Sequence, residues 1–303
     1  MNAADIARAL GDTRREGSRW RCRCPLHGGR SLSLSDGDRG LVLATCWGGC
    51  DRHDVLAELR QLGLIEGRGA SHPPRLTKPL RPIGAARSTD NTARALAIWR
   101  EAQPPERSPV QRYLAGRGIV LGDLCPEARA SLRFHPWCAH PSGVALPAMI
   151  GLVEHVEHGP VAVHMTFLRP DGAGKASLDA AKVMYGPVGG GSVRLGVPRV
   201  GEWLVVAEGI ETAAAVATAC SMPAWAALSA GGIKKLVLPR EATHLIIAAD
   251  HDASGTGQRA ARDAAQRWLA EDRRVRIAMS PEPGEDMADV LLADDSGEAH
   301  HVA

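Results

Sequence analysis

From Glu202 onward the chain alternates short apolar runs with helical ones, and this alternation leaves few architectures open. "EWLVVA" reads as a strand and "IETAAAVATAC" as a helix. "PAWAAL" is a short strand, followed by the short helix "GGIKKLVL". "HLIIAA" is a strand leading to the long helix "TGQRAARDAAQRWLAED". "RVRIAMS" is a strand, and "EDMADVLLA" opens a last helix. Four strands separated by helices predict an α/β unit, a mostly parallel four-stranded sheet with helices on both faces. In such open sheets ligands bind at the carboxyl ends of the strands, and the acidic residues gather there. Glu208 follows "WLVVA", Asp250 and Asp252 follow "LIIAA", and Asp286 and Asp289 lie beyond "VRIAMS". Like charges brought to one edge repel unless a cation lies between them. Hard oxygen ligands at a partly open site suit Mg2+ or Mn2+. The bland reading is helix caps and solvated loop charges. It stands level with a functional one for Asp289 and Glu211, and below it for Glu208, Asp250 and Asp252 taken together.

The front of the chain has a different signature. Cys24-Pro-Leu-His27 is a C-x2-H pair, and eighteen residues later Cys46-Trp-Gly-Gly-Cys50 is a C-x3-C pair. Two ligand pairs on tight turns, separated by a hairpin-length segment, predict a structural zinc ribbon with Cys24, His27, Cys46 and Cys50 as a tetrahedral set. "SLSLSDGDRGLVLATC" between them alternates like two strands around Asp36-Gly37-Asp38. A unit this small needs a staple, which favours metal over reduced cysteines filling a core. Cys22 would make the less usual C-x4-H spacing and is left out. "ADIARAL" and "DRHDVLAELRQLGL" read as flanking helices, so residues 1–65 form a zinc-ribbon nucleic-acid-binding domain.

Residues 66–93 mix Pro, Gly and Arg without periodicity and read as a basic linker. Residues 94–200 read as a basic α+β subdomain. "NTARALAIWREA" is helical. In "SPVQRYLAGRG", Ser108 caps a helix that begins at Pro109. "LPAMIGLVEHVEHGPVAVHMTFLRPDG" is a hairpin turning near His158-Gly159. Residues 201–295 form the alternating α/β unit and 296–303 a tail. The first 200 residues carry a net charge of +9 and the rest −7, which suits a polyanionic partner in front and metal behind. No apolar run reaches the ~18 residues needed to span a bilayer, and "MNAADIARALGDTRREG" lacks a signal-peptide core. A soluble, cytoplasmic protein is expected.

These residues together resemble a known family. A strand, Glu208-Gly209, a helix, then a strand with Asp250-x-Asp252-x-x-Gly255 is similar to the Rossmann-like Toprim domain shared by bacterial-type primases, topoisomerases, recombination mediators and some nucleases. The C-x2-H…C-x3-C unit resembles the zinc finger of the primases, in the expanded form of phage and mobile-element types. "LPAMIGLVE…MTFLRPDG…AKVMYGPVGGG" is similar to the basic subdomain that precedes Toprim in those enzymes. The resemblance implies a DNA primase with structural Zn2+ and catalytic Mg2+ or Mn2+. Its partners would be a single-stranded DNA template, ribonucleoside triphosphates and a replicative helicase acting in trans. It places Glu208, Asp250, Asp252 and Asp286 at the acidic metal positions, and Arg169 and Lys182 at basic positions facing nucleotide or template. This chain departs from the family at Thr212, where an aspartate is frequent, and in the spacing of Asp286 and Asp289.

Other readings share the motif. A Toprim nuclease would use the same carboxylates, although the motor domain that often accompanies one has no G-x4-G-K-[ST] here. A topoisomerase needs a tyrosine nucleophile, and only Tyr113 and Tyr185 exist. A non-catalytic module that binds single strands would keep the fold alone.

Overall fold

The computed structural model describes residues 1–26, 28–37, 41–46, 52–65, 83–178, 180–251, 255–280, 282 and 284. Two compact units emerge, Met1–Leu80 and Arg81–Ala303.

The first unit opens with α1 (Ala3–Leu10), whose N-terminus is capped by the Asn2 side chain accepting from the Asp5 N–H. A four-stranded antiparallel sheet follows in sequential order: β1 (Arg14–Glu16), β2 (Arg19–Cys22), β3 (Leu32–Asp36) and β4 (Val42–Cys46). The β1–β2 hairpin was not anticipated from sequence, because "RREGSRWRC" carries too few apolar residues to show a period. The helix α2 (Arg52–Gln61) closes the unit. Ile6, Leu32, Leu34, Val55 and Leu59 are buried together with Cys22 and Cys24.

In the second unit, α3 runs from Ile83 to Glu101. The expected linker over 66–93 is therefore corrected: residues 83–93 are helical, and only 66–82 lie outside the described residues. Pro82 ends the Pro/Gly-rich stretch, and alanines 85, 86, 93, 95 and 97 supply strong helix propensity that the scattered Ser, Thr and Asn had masked. Then come α4 (Pro109–Ala115), capped by Ser108 as expected, and α5 (Pro126–Ala130). The strands β5 (Leu132–Ala139), β6 (Ala145–His155), β7 (Gly159–Phe167), β8 (Lys182–Tyr185) and β9 (Ser192–Leu195) are antiparallel neighbours.

The alternating region supplies β10 (Trp203–Ala207), α6 (Ile210–Ala219), β11 (Ala224–Ala226), α7 (Ala230–Lys235), β12 (His244–Ala249), α8 (Thr256–Ala270) and β13 (Arg274–Met279). Its four strands are parallel in the order β13-β12-β10-β11. Successive residues face opposite layers, as the pleat dictates. Val205 and Ala207 pack with Ile210, Ala213 and Ala214 of α6. Leu204 and Val206 pack with Ala261, Ala264 and Trp268 of α8. Helices thus cover both faces. β11 also pairs antiparallel with β9, so one nine-stranded sheet runs through both the basic subdomain and the alternating region. No helix among the described residues is long and apolar enough to cross a membrane. The last expected helix, "EDMADVLLA", lies outside the described residues.

Candidate metal centre

The chain passes from β10 to β11 on one side, then crosses back to place β12 on the other side of β10. The crevice outside the carboxyl ends of β10 and β12 is therefore a topological switch point, where open α/β sheets bind ligands. Glu208 is the first residue after β10, and Asp250 the first after β12. Register brings the two strand ends to one edge: Ala207 pairs with Ala248, so Asp250 stands one residue further along than Glu208. The backbone carbonyl of Glu208 accepts from the Leu228 N–H at 2.8 Å, which continues the ladder toward β11 and holds the strand end flat. Both carboxylates are half-buried. His251 turns away to β13, where its Nδ1 lies 2.9 Å from the Ser280 carbonyl oxygen. The Gly284 N–H donates to the His251 carbonyl at 2.7 Å. These two bonds fasten the end of β12 to the segment that leads toward Asp286. Asp252 and Asp286 themselves lie outside the described residues. The donor set is all carboxylate, which is the chemistry that Mg2+ or Mn2+ prefers.

The expected basic residues both have carboxylate partners. Arg169, just past β7, makes an exposed ion pair with Asp171 at 2.8 Å. Lys182, the first residue of β8, donates to Glu211 Oε2 at 2.9 Å. Glu211 lies in the first turn of α6 and is only 3% exposed. Its Oε1 accepts from the Tyr113 hydroxyl at 2.7 Å and lies 3.6 Å from Lys175 Nζ. Burial pushes the Glu211 carboxyl upward, but Lys182, the Tyr113 hydroxyl and Lys175 outweigh it and bring it down to about 2. Beside them His164 of β7 is fully enclosed. Burial, then Lys182, lower its pKa to about 4, so it is neutral near pH 7. Its Nδ1 has no hydrogen-bond partner among the described residues.

Close backbone approach makes this cluster possible. Gly151 lies in β6 where a Cβ would meet Ile210 Cδ1 at 2.8 Å and Val193 Cγ2 at 2.9 Å, so the absence of a side chain there leaves room for the first turn of α6. Gly172, in the loop between β7 and β8, would carry a Cβ 2.6 Å from the Pro109 carbonyl oxygen. The loop bearing Lys175 thus sits directly on α4, which bears Tyr113. Sequence reading weighed Glu211 equally as a helix-cap or solvated charge and as a functional carboxylate, and it missed the link to Tyr113, Lys175 and His164. Tyr113 and Glu211 are 98 residues apart, and no local pattern links them.

In the N-terminal unit, register pairs Cys22 with Leu32 and Leu32 with Cys46. The ends of β2 and β4 therefore share one end of the sheet, and the Cys24 turn leaves it there. The turn is a tight knuckle: the Gly28 N–H donates to the Cys24 carbonyl and the Cys24 N–H to the Gly29 carbonyl, each at 2.8 Å. Cys46 Sγ lies 3.4 Å from Ser31 Oγ. His27 and Cys50 lie outside the described residues. Cys22 is fully buried, and burial raises its thiol to about 11, which makes it a core thiol.

Among the described residues, one further group of metal-competent side chains, His155, Glu157 and His158, occupies the tip of the β6–β7 hairpin. The two imidazoles stack at 4.6 Å, and His155 Nδ1 already accepts from the Glu157 N–H.

Residues 203–296 match the family described as "Toprim domain", so the chain carries a Toprim domain within a mixed α/β fold. Residues 89–195 match a family described as "Domain of unknown function (DUF7146)". No curated protein matches the sequence. Among solved structures the chain is similar to the zinc-binding and RNA polymerase domains of the Aquifex aeolicus primase. Identity is 14% over 98% of this chain and 81% of that one, with a TM-score of 0.47. It is also similar to the primase fragment of the bacteriophage T7 primase-helicase protein, at 18% identity over 61% and 70%, TM-score 0.43. A third is the RNA polymerase domain of Mycobacterium tuberculosis primase DnaG, at 18% identity over 71% and 82%, TM-score 0.43.

Proposed function

We propose that this protein is a DNA primase that synthesises short RNA primers on single-stranded DNA by metal-dependent nucleotidyl transfer. The observation that supports the reading is that Glu208 and Asp250 follow the adjacent parallel strands β10 and β12 at the switch point of the sheet, with Lys175 and Lys182 set on Glu211 in the first turn of α6. Glu208, Asp250, Asp252 and Asp286 would hold Mg2+ or Mn2+. When bound, the ion lowers the pKa of the attacking 3′-hydroxyl and offsets the charge of the departing pyrophosphate. Glu208 would either complete that ligand set or move the hydroxyl proton. Lys182 would orient phosphates from the edge of β8. Arg169 would do so after exchanging its exposed Asp171 pair for a phosphate; surface pairs of this kind are worth only about 0–1 kcal/mol, so the exchange costs little. Cys24, His27, Cys46 and Cys50 would hold Zn2+ as a structural ion, and the ribbon with its basic linker would grip the template strand. A helicase would be supplied by another chain.

The tyrosines speak against a strand-passing topoisomerase. Tyr113 is buried and hydrogen-bonded to Glu211, and Tyr185 is half-buried against the core of β6 and β7. A nuclease using the same carboxylates is the reading to separate by experiment. Purified protein is incubated with single-stranded DNA, labelled ribonucleotides and Mg2+ or Mn2+. Template-dependent short RNA that disappears in Asp250→Asn is the expected result. Degraded DNA without RNA indicates a nuclease, and binding without either product indicates a non-catalytic module.

A further inference from the structure

The Glu211 cluster is unbalanced in a way that folding alone does not require. One carboxylate faces two ammonium groups, Lys182 at 2.9 Å and Lys175 at 3.6 Å. Tyr113 donates its hydroxyl proton and His164 is neutral, so among the described residues of the group two ammoniums face one carboxylate. Burying charge is a poor route to stability, since well-packed apolar residues of similar size do as well or better. A second ammonium worsens the balance. Burial lowers the pKa of Lys175, and Lys182 and Arg117 push the same way against the attraction of Glu211. The carboxylate is enclosed, but the lysine side chains are 38% and 37% exposed. The cluster therefore shows solvent a positive face held from behind by a hidden anion. Glu211 also follows Glu208 closely in the chain: a Cβ on Gly209, the residue after Glu208, would lie 3.4 Å from Glu211 Oε2.

We propose that Glu211 is a positioning residue, the buried counter-ion that fixes Lys175 and Lys182 beside Glu208 with one charge in excess to receive a substrate phosphate. This rests on the nucleotidyl-transfer reading for its substrate class. Tyr113 completes the hold from α4, and Lys175 becomes a phosphate-binding residue alongside Lys182. The phosphate belongs either to the incoming ribonucleoside triphosphate or to the backbone of the nucleic acid.

The test uses the full chain with zinc present and compares wild type, Lys175→Gln and Glu211→Gln. Thermal midpoints are recorded with and without sodium tripolyphosphate, and binding of a single-stranded oligonucleotide is followed by fluorescence anisotropy. Lys175→Gln should fold normally and bind one of the two probes about tenfold more weakly, the size expected for one charge-assisted hydrogen bond. Loss confined to tripolyphosphate identifies the triphosphate as the source; loss confined to the oligonucleotide identifies the strand. Glu211→Gln leaves two ammoniums without a counter-ion. Its midpoint should fall, and tripolyphosphate should raise it by more than it raises the wild type, a response that a purely structural glutamate would not produce. If Glu211→Gln does not fold, the Lys175→Gln comparison decides. Equal probe binding by wild type and Lys175→Gln overturns the proposal, as does a Glu211→Gln midpoint that falls without enhanced rescue. Neither measurement needs catalysis. Altered phosphate binding in a protein that makes no primer leaves the cluster assignment standing and removes the primase reading.

Discussion

The unit ending at Leu80 draws its candidate ligands from one short hairpin and its flanks, whereas the unit beginning at Arg81 gathers its polar residues from elements up to 98 residues apart. The first has a core of a few aliphatic side chains around Cys22 and Cys24. The second has a nine-stranded sheet with apolar layers on both faces. A small core cannot hold four metal ligands in place unaided, so the proposed zinc would be part of the fold there. A broad sheet brings the ends of β10 and β12 to one edge through backbone pairing, so a metal held there by Glu208 and Asp250 would serve chemistry and leave the fold unchanged. The comparison teaches that stability and activity should respond to different metals and different residues.

The largest effect should come from breaking the small unit. Chelation or Cys46→Ser should unfold residues 1–65, since structural zinc contributes on the order of 10 kcal/mol of apparent binding energy. Hydrogen exchange should show lost protection there and unchanged protection in β10, β12 and α8. Zinc-free wild type with full protection would remove the distinction between the two units. Next, Asp250→Asn should lower primer synthesis by about a hundredfold or more, as losing a charge-stabilising group commonly does. Its thermal midpoint should stay close to wild type; a large drop would mean that this carboxylate also carries the fold.

A pH titration of urea unfolding probes the buried cluster. His164 has its pKa lowered in the folded state, so its contribution is intact above about 6.5 and is lost as pH falls toward about 4. Glu211 follows the same sign in a lower window, from 4.5 down toward about 2. His164→Gln should flatten the decline between pH 6.5 and 4.5, a difference of up to about 3 kcal/mol, and leave the lower window in place. The smallest effect is expected from Tyr113→Phe. Removing a hydroxyl that donates to a buried carboxylate should cost about 1.5–3 kcal/mol, read as a lower urea midpoint with unchanged slope.

Much of this molecule was readable from local pattern. The strands β10, β12 and β13 and the helices α6 and α8 announce themselves through apolar runs and alanine-rich helices. Ser108 and Pro109 mark the start of α4 because capping depends on adjacent residues. Features that depend on distant pairing were not readable. The β1–β2 hairpin has few apolar residues and is held by pairing to β3. The early start of α3 was hidden by a polar composition. The join of β9 to β11, which makes one sheet of two expected domains, has no signature in either strand.

The sequence by itself determined which residues can end a strand and carry charge: Glu208 and Asp250 follow apolar runs, and their side-chain chemistry suits a hard cation whatever surrounds them. Only the tertiary structure decided that Glu211, three residues past Glu208, faces inward to Tyr113, Lys175 and Lys182. The reason is physical. A carboxylate's preference for metal, solvent or ammonium is set by what lies within a few ångströms of it, and here three of those neighbours arrive from α4, β8 and the loop before β8.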